Sequence, residues 1–126
     1  MTRVSDTRGV QIKRAYDEPA ASDGVRLLVD RLWPRGVSKE RIKIDAWRKD
    51  LAPSAVLRKW FAHDPDKWAE FLKRYKAELR ETGAWAALED LAQRAKKERI
   101  TLVYSARDPE RNQAAALVSI LAEITA

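Results

Sequence analysis

The chain has 126 residues, with 25 Lys and Arg against 19 Asp and Glu, no Cys and one His. Without Cys there is no disulfide, thiolate nucleophile or Cys-based zinc site, and one His cannot build a multi-histidine metal centre, so no metal and no other cofactor is expected. At this length one domain is expected, able to bury roughly two-thirds of its unfolded surface without staples.

Residues 1–9 lead into no apolar signal core and are read as a tail, with a single domain over 10–126. Val10 to Tyr16 alternates apolar and polar side chains, the period of a half-buried strand. A turn-rich stretch from Asp17 to Gly24 follows, and Val25 to Trp33 reads as a second strand around Leu27-Leu28-Val29. Pro34, Arg35 and Gly36 end it. Ser54 can cap a short helix carrying Leu57, Trp60 and Phe61.

Asp64-Pro65 is a helix start: a side-chain acceptor at the cap, then a proline whose missing N–H costs nothing there. Trp68, Phe71, Leu72, Tyr75 and Leu79 then share one face, and Gly83 suits the stop. A further helix carries Trp85, Leu88, Leu91 and Ala92. Ile100 to Tyr104 is a third β-rich run, and Asp108-Pro109 repeats the start signal for a last helix with Leu117, Val118 and Leu121 inward. The order predicts a small single-domain α/β fold, a short and mostly parallel sheet of about three strands with helices packed on it. Strands two and three, joined by more than 60 residues with helices, are expected to run parallel; the pairing of the first two stays open.

In open α/β sheets, ligands gather at the carboxyl ends of the strands. Two polar clusters fall there, Asp30 to Gly36 after strand two and Ser105 to Asp108 after strand three. Were these ends adjacent, Arg31, Arg35, Arg107 and Ser105, with Asn112 beyond them, would surround a phosphate, sulfate or carboxylate beside a helix start. Asp30, Ser105 and His63 are the candidates for a catalytic role, Asp30 as base, Ser105 as nucleophile or donor, and His63 as the side chain with a near-neutral ordinary pKa. Plainer roles compete: Asp30 in an ion pair, Asp108 as a cap, His63 at a helix end. Gly stands only at 9, 24, 36 and 83, so neither a Walker phosphate loop, a dinucleotide-binding fingerprint nor a nucleophile elbow occurs.

The charge offers a second possibility. Residues 1–64 carry a net +5 and residues 65–126 a net +1, and Arg35 to Lys49 holds six cations against Glu40 and Asp45. Lys39, Arg41, Lys43 and Lys49, with Trp47 for stacking, make a candidate face for nucleic acid or an acidic protein; a solvated basic face is the plain alternative. Trp33 is a further stacking candidate, whereas Trp60, Trp68 and Trp85 lie on apolar stripes. The longest uncharged run, Asn112 to Ala122, is 11 residues, short of a bilayer span. A soluble cytoplasmic protein is expected, with an anionic small molecule as the leading partner class and the oligomeric state open.

The string Gly24 to Lys39, with Asp30-Arg31-Leu32-Trp33-Pro34-Arg35-Gly36 at its centre, resembles the signature of the bacterial YeaO-like proteins in the group called domain of unknown function 488. Trp47 to Ser54 and Trp60 through Pro65 to Tyr75 extend the resemblance over about residues 10–124. It implies a small cytoplasmic α/β protein and carries no established reaction. Longer relatives in that group end one strand in an Asp-Val-Arg type motif followed by Pro. A second strand ends in Cys and leads toward Cys-His-Arg. Here Asp30-Arg31 and Pro34 look like the first motif; Ser105 stands at the strand-end Cys and Asn112-Gln113 near the Cys-His. Thiol chemistry therefore has no thiol to act through, and the resemblance implies a polar pocket with Arg107 and a helix start.

Overall fold

In the computed structural model, which describes residues 9–125, the alternating segments form a parallel sheet. Its strands are β1 (Gly9–Arg14), β2 (Val25–Leu28), β3 (Ala46–Trp47) and β4 (Arg99–Tyr104), in the spatial order β1-β4-β2-β3. The helices are α1 (Lys39–Ile42), α2 (Ala55–Phe61), α3 (Trp68–Glu81), α4 (Trp85–Ala95) and α5 (Gln113–Thr125). The α/β class and the mostly parallel sheet agree with the sequence. Residues 1–8, most of the expected tail, lie outside the described residues.

The strand pairing differs from expectation in two details, and the short helix α1 has no counterpart in the sequence reading. β1 and β2 are not neighbours; both pair in parallel with β4, with Ile12 and Leu27 each opposite Leu102. A fourth strand, β3, pairs Ala46 with Leu27 and Trp47 with Leu28. Two residues are too few to show a period, so this strand forms because Asp45 and Arg48 donate their N–H groups to the Arg26 and Leu28 carbonyls, both at 2.7 Å.

The strand period of two divides the chain between two unlike faces. Leu27, Val29, Ile100, Leu102 and Tyr104 meet the apolar stripes of the helices in the main core, including Phe71, Tyr75, Leu88, Leu117 and Ile120. The opposite face has a small apolar half, where Leu28 and Val103 pack with Ala15, Val37 and Ile42. Its other half is polar. Asp23, only 2% exposed, receives Lys13 Nζ at 3.1 Å and Arg26 Nη1 at 2.6 Å, and Thr101 Oγ1 donates to the Asp23 carbonyl at 2.6 Å. Arg26 Nη2 continues to the Ile42 carbonyl at 2.7 Å. Thus a ten-residue link from β1 to β2 crosses β4 with no α-helix, only a 3-10 turn over Ala21–Asp23, held by charge and hydrogen bonds. Gly24 (φ +64°) makes the approach feasible, since a Cβ there would lie 2.3 Å from the Arg99 carbonyl oxygen.

Helix starts are set by short side chains. Ser54 Oγ accepts from Leu57 N at 3.0 Å, and Asp64 with Pro65 opens the 3-10 turn that leads into α3. Ser54 also binds Glu78 of α3 through its N–H and its hydroxyl, and the Tyr75 hydroxyl donates to the Leu51 carbonyl. These contacts tie the start of α2, and the segment before it, to α3.

Burial alone would raise the Asp23 pKa, but the Ala20 N–H, Lys13 and Arg26 outweigh it and hold the carboxyl below its ordinary value. A depressed carboxylate stabilises the fold above its unfolded pKa, and that contribution is lost as pH falls through the folded value. Asp23→Asn, which leaves Arg26 buried without its counter-ion, is expected to cost about 3 kcal/mol at neutral pH. Urea unfolding should show the gap from wild type narrowing below about pH 4.

Candidate functional site

The carboxyl ends of β2 and β4 are adjacent because the two strands pair directly. After Leu28 the chain keeps one more ladder bond, Val29 N to the Val103 carbonyl at 3.0 Å, and then leaves the sheet. The second strand is thus shorter than its apolar run suggests, and Asp30 and Arg31 separate: Asp30 turns inward, 5% exposed, while Arg31 is exposed. The Trp47 indole N–H donates to the Asp30 carbonyl at 2.8 Å, fixing this turn from β3. Across from it, Arg14 at the end of β1 donates to the Ser105 and Ala106 carbonyls at 3.0 and 2.9 Å. Arg14, which sequence patterning assigns only to a strand, therefore positions the loop after β4.

A cleft of about 130 Å³ opens between these ends. Asp30 and Ser105 line it with Arg58 and His63, and Asn112 and Gln113 border it at the start of α5. Phe61, Phe71, Pro53 and Leu32 give it apolar walls. His63, Ser105 and Ala106 also line an adjoining depression of about 450 Å³ with Arg107 and Asp108. The cleft and the depression share three residues and form one recess with a narrow inner end.

Within it, Asp30 is under-bonded. Its Oδ1 accepts from the Gln113 carboxamide, and its Oδ2 is buried with no hydrogen-bond partner. A carboxylate offers about four acceptor sites, so a buried one with an oxygen left unpartnered is costly even with the Ser105 hydroxyl and N–H close by. Desolvation raises the Asp30 pKa, opposed in part by Ser105, the Arg58 charge and Gln113.

Asp30, Ser105, His63 and Asn112 therefore gather at one cleft, and Arg107 joins them at the outer depression. Arg31 and Arg35 do not line it. Arg31 borders a separate groove with Lys49, Ser54 and Glu78, and Arg35 is exposed, its carbonyl accepting from the Tyr16 hydroxyl at 3.0 Å. The cation that sequence patterning misses is Arg58, which stands on the outer side of α2 beside apolar Leu57. Asn112, 2% exposed, is spent on architecture: its Oδ1 caps α5 at Ala115 N and its Nδ2 donates to the Asp108 carbonyl, both at 2.8 Å. The last helix accordingly begins at Gln113, not at Asp108-Pro109; Asp108 caps the preceding turn through Glu110 N and Arg111 N.

His63 is exposed on a left-handed pair, Ala62 (φ 47°) and His63 (φ 59°), that ends α2. Ser105, His63 and Asp108 border the same depression, but among the described residues no hydrogen bond joins His63 to either partner. The described residues contain no cluster of three or more metal-ligating side chains.

The basic stretch lies elsewhere. Lys39, Arg41, Lys43 and Lys49 are exposed. Trp47 packs edge-on against Trp33 at 5.3 Å, and Lys49 Nζ sits 4.0 Å from the centre of its ring. Both indoles are thus engaged within the fold, since the Trp33 N–H donates to the Val37 carbonyl at 2.6 Å. No helix among the described residues is long and apolar enough to cross a membrane.

A family model described as "Inactive DUF488-N3 subclade" matches residues 9–126, the whole of the described region. The chain belongs to this DUF488-N3i family. Its similarity to uncharacterized proteins is close along nearly full length. It is 43% identical to YeaO of Escherichia coli over 112 residues, covering 89% of this chain and 96% of that protein. It is 40% identical to a Mycobacterium tuberculosis protein and to a Mycobacterium bovis protein over 118 residues, covering 94% of this chain and 97% of each. No solved structure matches it significantly. The resemblance to the YeaO-like proteins is therefore a family membership, and the signature string of this DUF488-N3i chain falls on the turn that delivers Asp30 to the cleft.

Because the folded pKa of Asp30 is raised, the native state holds its proton more tightly than the unfolded chain, and stability falls as pH rises from the unfolded value through the folded one. Asp30→Asn removes the buried charge and keeps the shape. It is expected to be more stable than wild type by about 1 kcal/mol at pH 7, with the difference vanishing below about pH 4. Guanidinium titrations at both pH values check this.

Proposed function

We propose that this protein binds a small organic anion at the carboxyl ends of β2 and β4 and performs no chemistry on it. The observation that carries this reading is the recess itself, where Arg58 and His63 border a cleft holding a buried carboxyl with one unpartnered oxygen, and Arg107 borders the depression that adjoins it. A buried carboxylate that is only partly compensated lowers stability, and its retention at a cleft is consistent with use by a ligand. Arg58 and Arg107 supply fork-shaped donors for a carboxylate or phosphate, and Ser105 adds a hydroxyl. The family's description as inactive favours binding over catalysis. The missing bond between Ser105 and His63 points the same way, since a nucleophilic Ser needs its base within hydrogen-bond reach.

The alternative, a nucleic-acid or acidic-protein face over Lys39, Arg41, Lys43, Trp47 and Lys49, rests on exposed charge alone, and its aromatic ring is already covered by Lys49. The two readings separate in one titration. Amide shifts on adding inorganic phosphate or benzoate are expected to centre on residues 105–113. Arg58→Ala and Arg107→Ala should each weaken binding by roughly ten-fold, about 1.4 kcal/mol. Charge reversal at Lys43 and Lys49 should leave it unchanged. Shifts confined to residues 39–49, or affinity lost only with those two lysines, would assign binding to the basic face.

A further inference from the structure

The inner end of the recess specifies more than an anion. Asp30 repels one, yet its buried side chain faces the cleft, with Oδ1 engaged by Gln113 and Oδ2 lacking a hydrogen-bond partner. The cations, by contrast, are exposed: Arg58 lines the cleft, and Arg107 lines the outer depression. Acid inside and base outside is a polarity suited to a ligand that is itself two-ended.

Building on the anion-binding reading, we propose that the occupant is an amino-bearing organic anion: its N–H group enters the cleft and donates to Asp30, while its carboxylate or phosphate stays outside with Arg58 and Arg107. Three features carry this. First, a carboxylate accepts but does not donate when ionised, so the group that satisfies Oδ2 must bring an N–H or O–H. An amino group also brings positive or partly positive character, which offsets the desolvated charge. Second, the Gln113 carboxamide already donates an N–H to the other oxygen, showing that the cleft accommodates an –NH2 group beside Asp30. Third, the remaining walls, Leu32, Pro53, Phe61 and Phe71, are apolar, and the volume of about 130 Å³ is close to the ~150 Å³ that receives one benzene-sized ring. The amino group thus arrives on a short alkyl chain or a single ring.

Oδ2 is closed off from solvent, so ligand entry requires a rearrangement at the inner end of the cleft, where the half-buried Gln113 side chain holds the neighbouring Oδ1. This predicts a local signature, a change at the Gln113 side-chain amide that only the aminated ligand produces.

The test compares two matched pairs by calorimetry and by amide shifts at roughly millimolar ligand: 4-aminobenzoate against benzoate, and 4-aminobutyrate against butyrate. The first pair carries the amino group on a ring and the second on a chain, so the pair showing the larger preference identifies the source. Wild type is expected to favour the aminated member of at least one pair by ten-fold or more and to shift the Gln113 side-chain resonances with that member alone. Asp30→Asn, expected to fold with raised stability and checked by its melting temperature, should bind both members of that pair equally. Arg107→Ala should weaken both members together. Equal affinity of aminated and plain acids in wild type overturns the amino inference and leaves the anion site standing. Amino-dependent binding unaffected by Arg58→Ala and Arg107→Ala overturns the anion site and keeps the role of Asp30. Failure of all four compounds to bind overturns both.

Discussion

The fold depends on one buried carboxylate. Asp23 draws Lys13 of β1 and Arg26 of β2 to a single point over β4, while its own carbonyl accepts from Thr101. A parallel pair of strands is ordinarily linked by a helix that covers the sheet and satisfies its own backbone. Here the link is too short for one, and a polar network performs the covering. That explains why the second sheet face alternates in kind along its length: charged and hydrogen-bonded near Arg26 and Thr101, apolar near Leu28 and Val103. Losing the carboxylate would loosen the crossover that spans β4 and leave the ladder between β2 and β4 to hold their register.

That registration places the candidate site. Since Leu28 lies opposite Val103, the chain leaves β2 level with the end of β4, and Asp30 comes to face the loop holding Ser105. Three other elements then fix the recess without lining it. Arg14 ties down the Ser105 and Ala106 carbonyls, Trp47 holds the Asp30 carbonyl, and Ser54 with Glu78 sets α2 on α3. The cleft is thus a product of long-range geometry, with its polar groups on rigid strand ends and its cations on more exposed supports.

The sequence made helices α2 to α5 and the two central strands legible, because Trp68 to Leu79 and Ile100 to Tyr104 follow clear periods and Asp64-Pro65 and Ser54 mark starts; the four-residue α1 was too short to show a period. It also brought Asp30, Ser105, His63 and Arg107 to attention as candidates. What it could not convey depends on pairing. β3 is two residues long and exists through its bonds to β2. The neighbour relation of β1 and β4 joins residues about 90 positions apart. Arg58 is one of several cations on outer helix faces, and only the packing of α2 shows that it borders the cleft. Asp108-Pro109 looked like a helix start because Asp caps turns and helices by the same hydrogen bonds; Asn112 holds the true cap.

The placement of β4 has a consequence for how the chain is made. β4 is the last strand in sequence, yet it is the strand on which β1 and β2 both pair. Until residues 99–104 emerge from the ribosome, β1 has no strand partner and β2 has only the two-residue β3. The helices α2 to α4 are synthesised before the sheet surface they must cover exists. Assembly therefore waits for the final fifth of the chain and then closes over long sequence separations, the arrangement that slows folding and leaves apolar strands unpaired in the interval. A nascent chain stalled before Arg99 would carry most of the residues of this domain and almost none of its sheet.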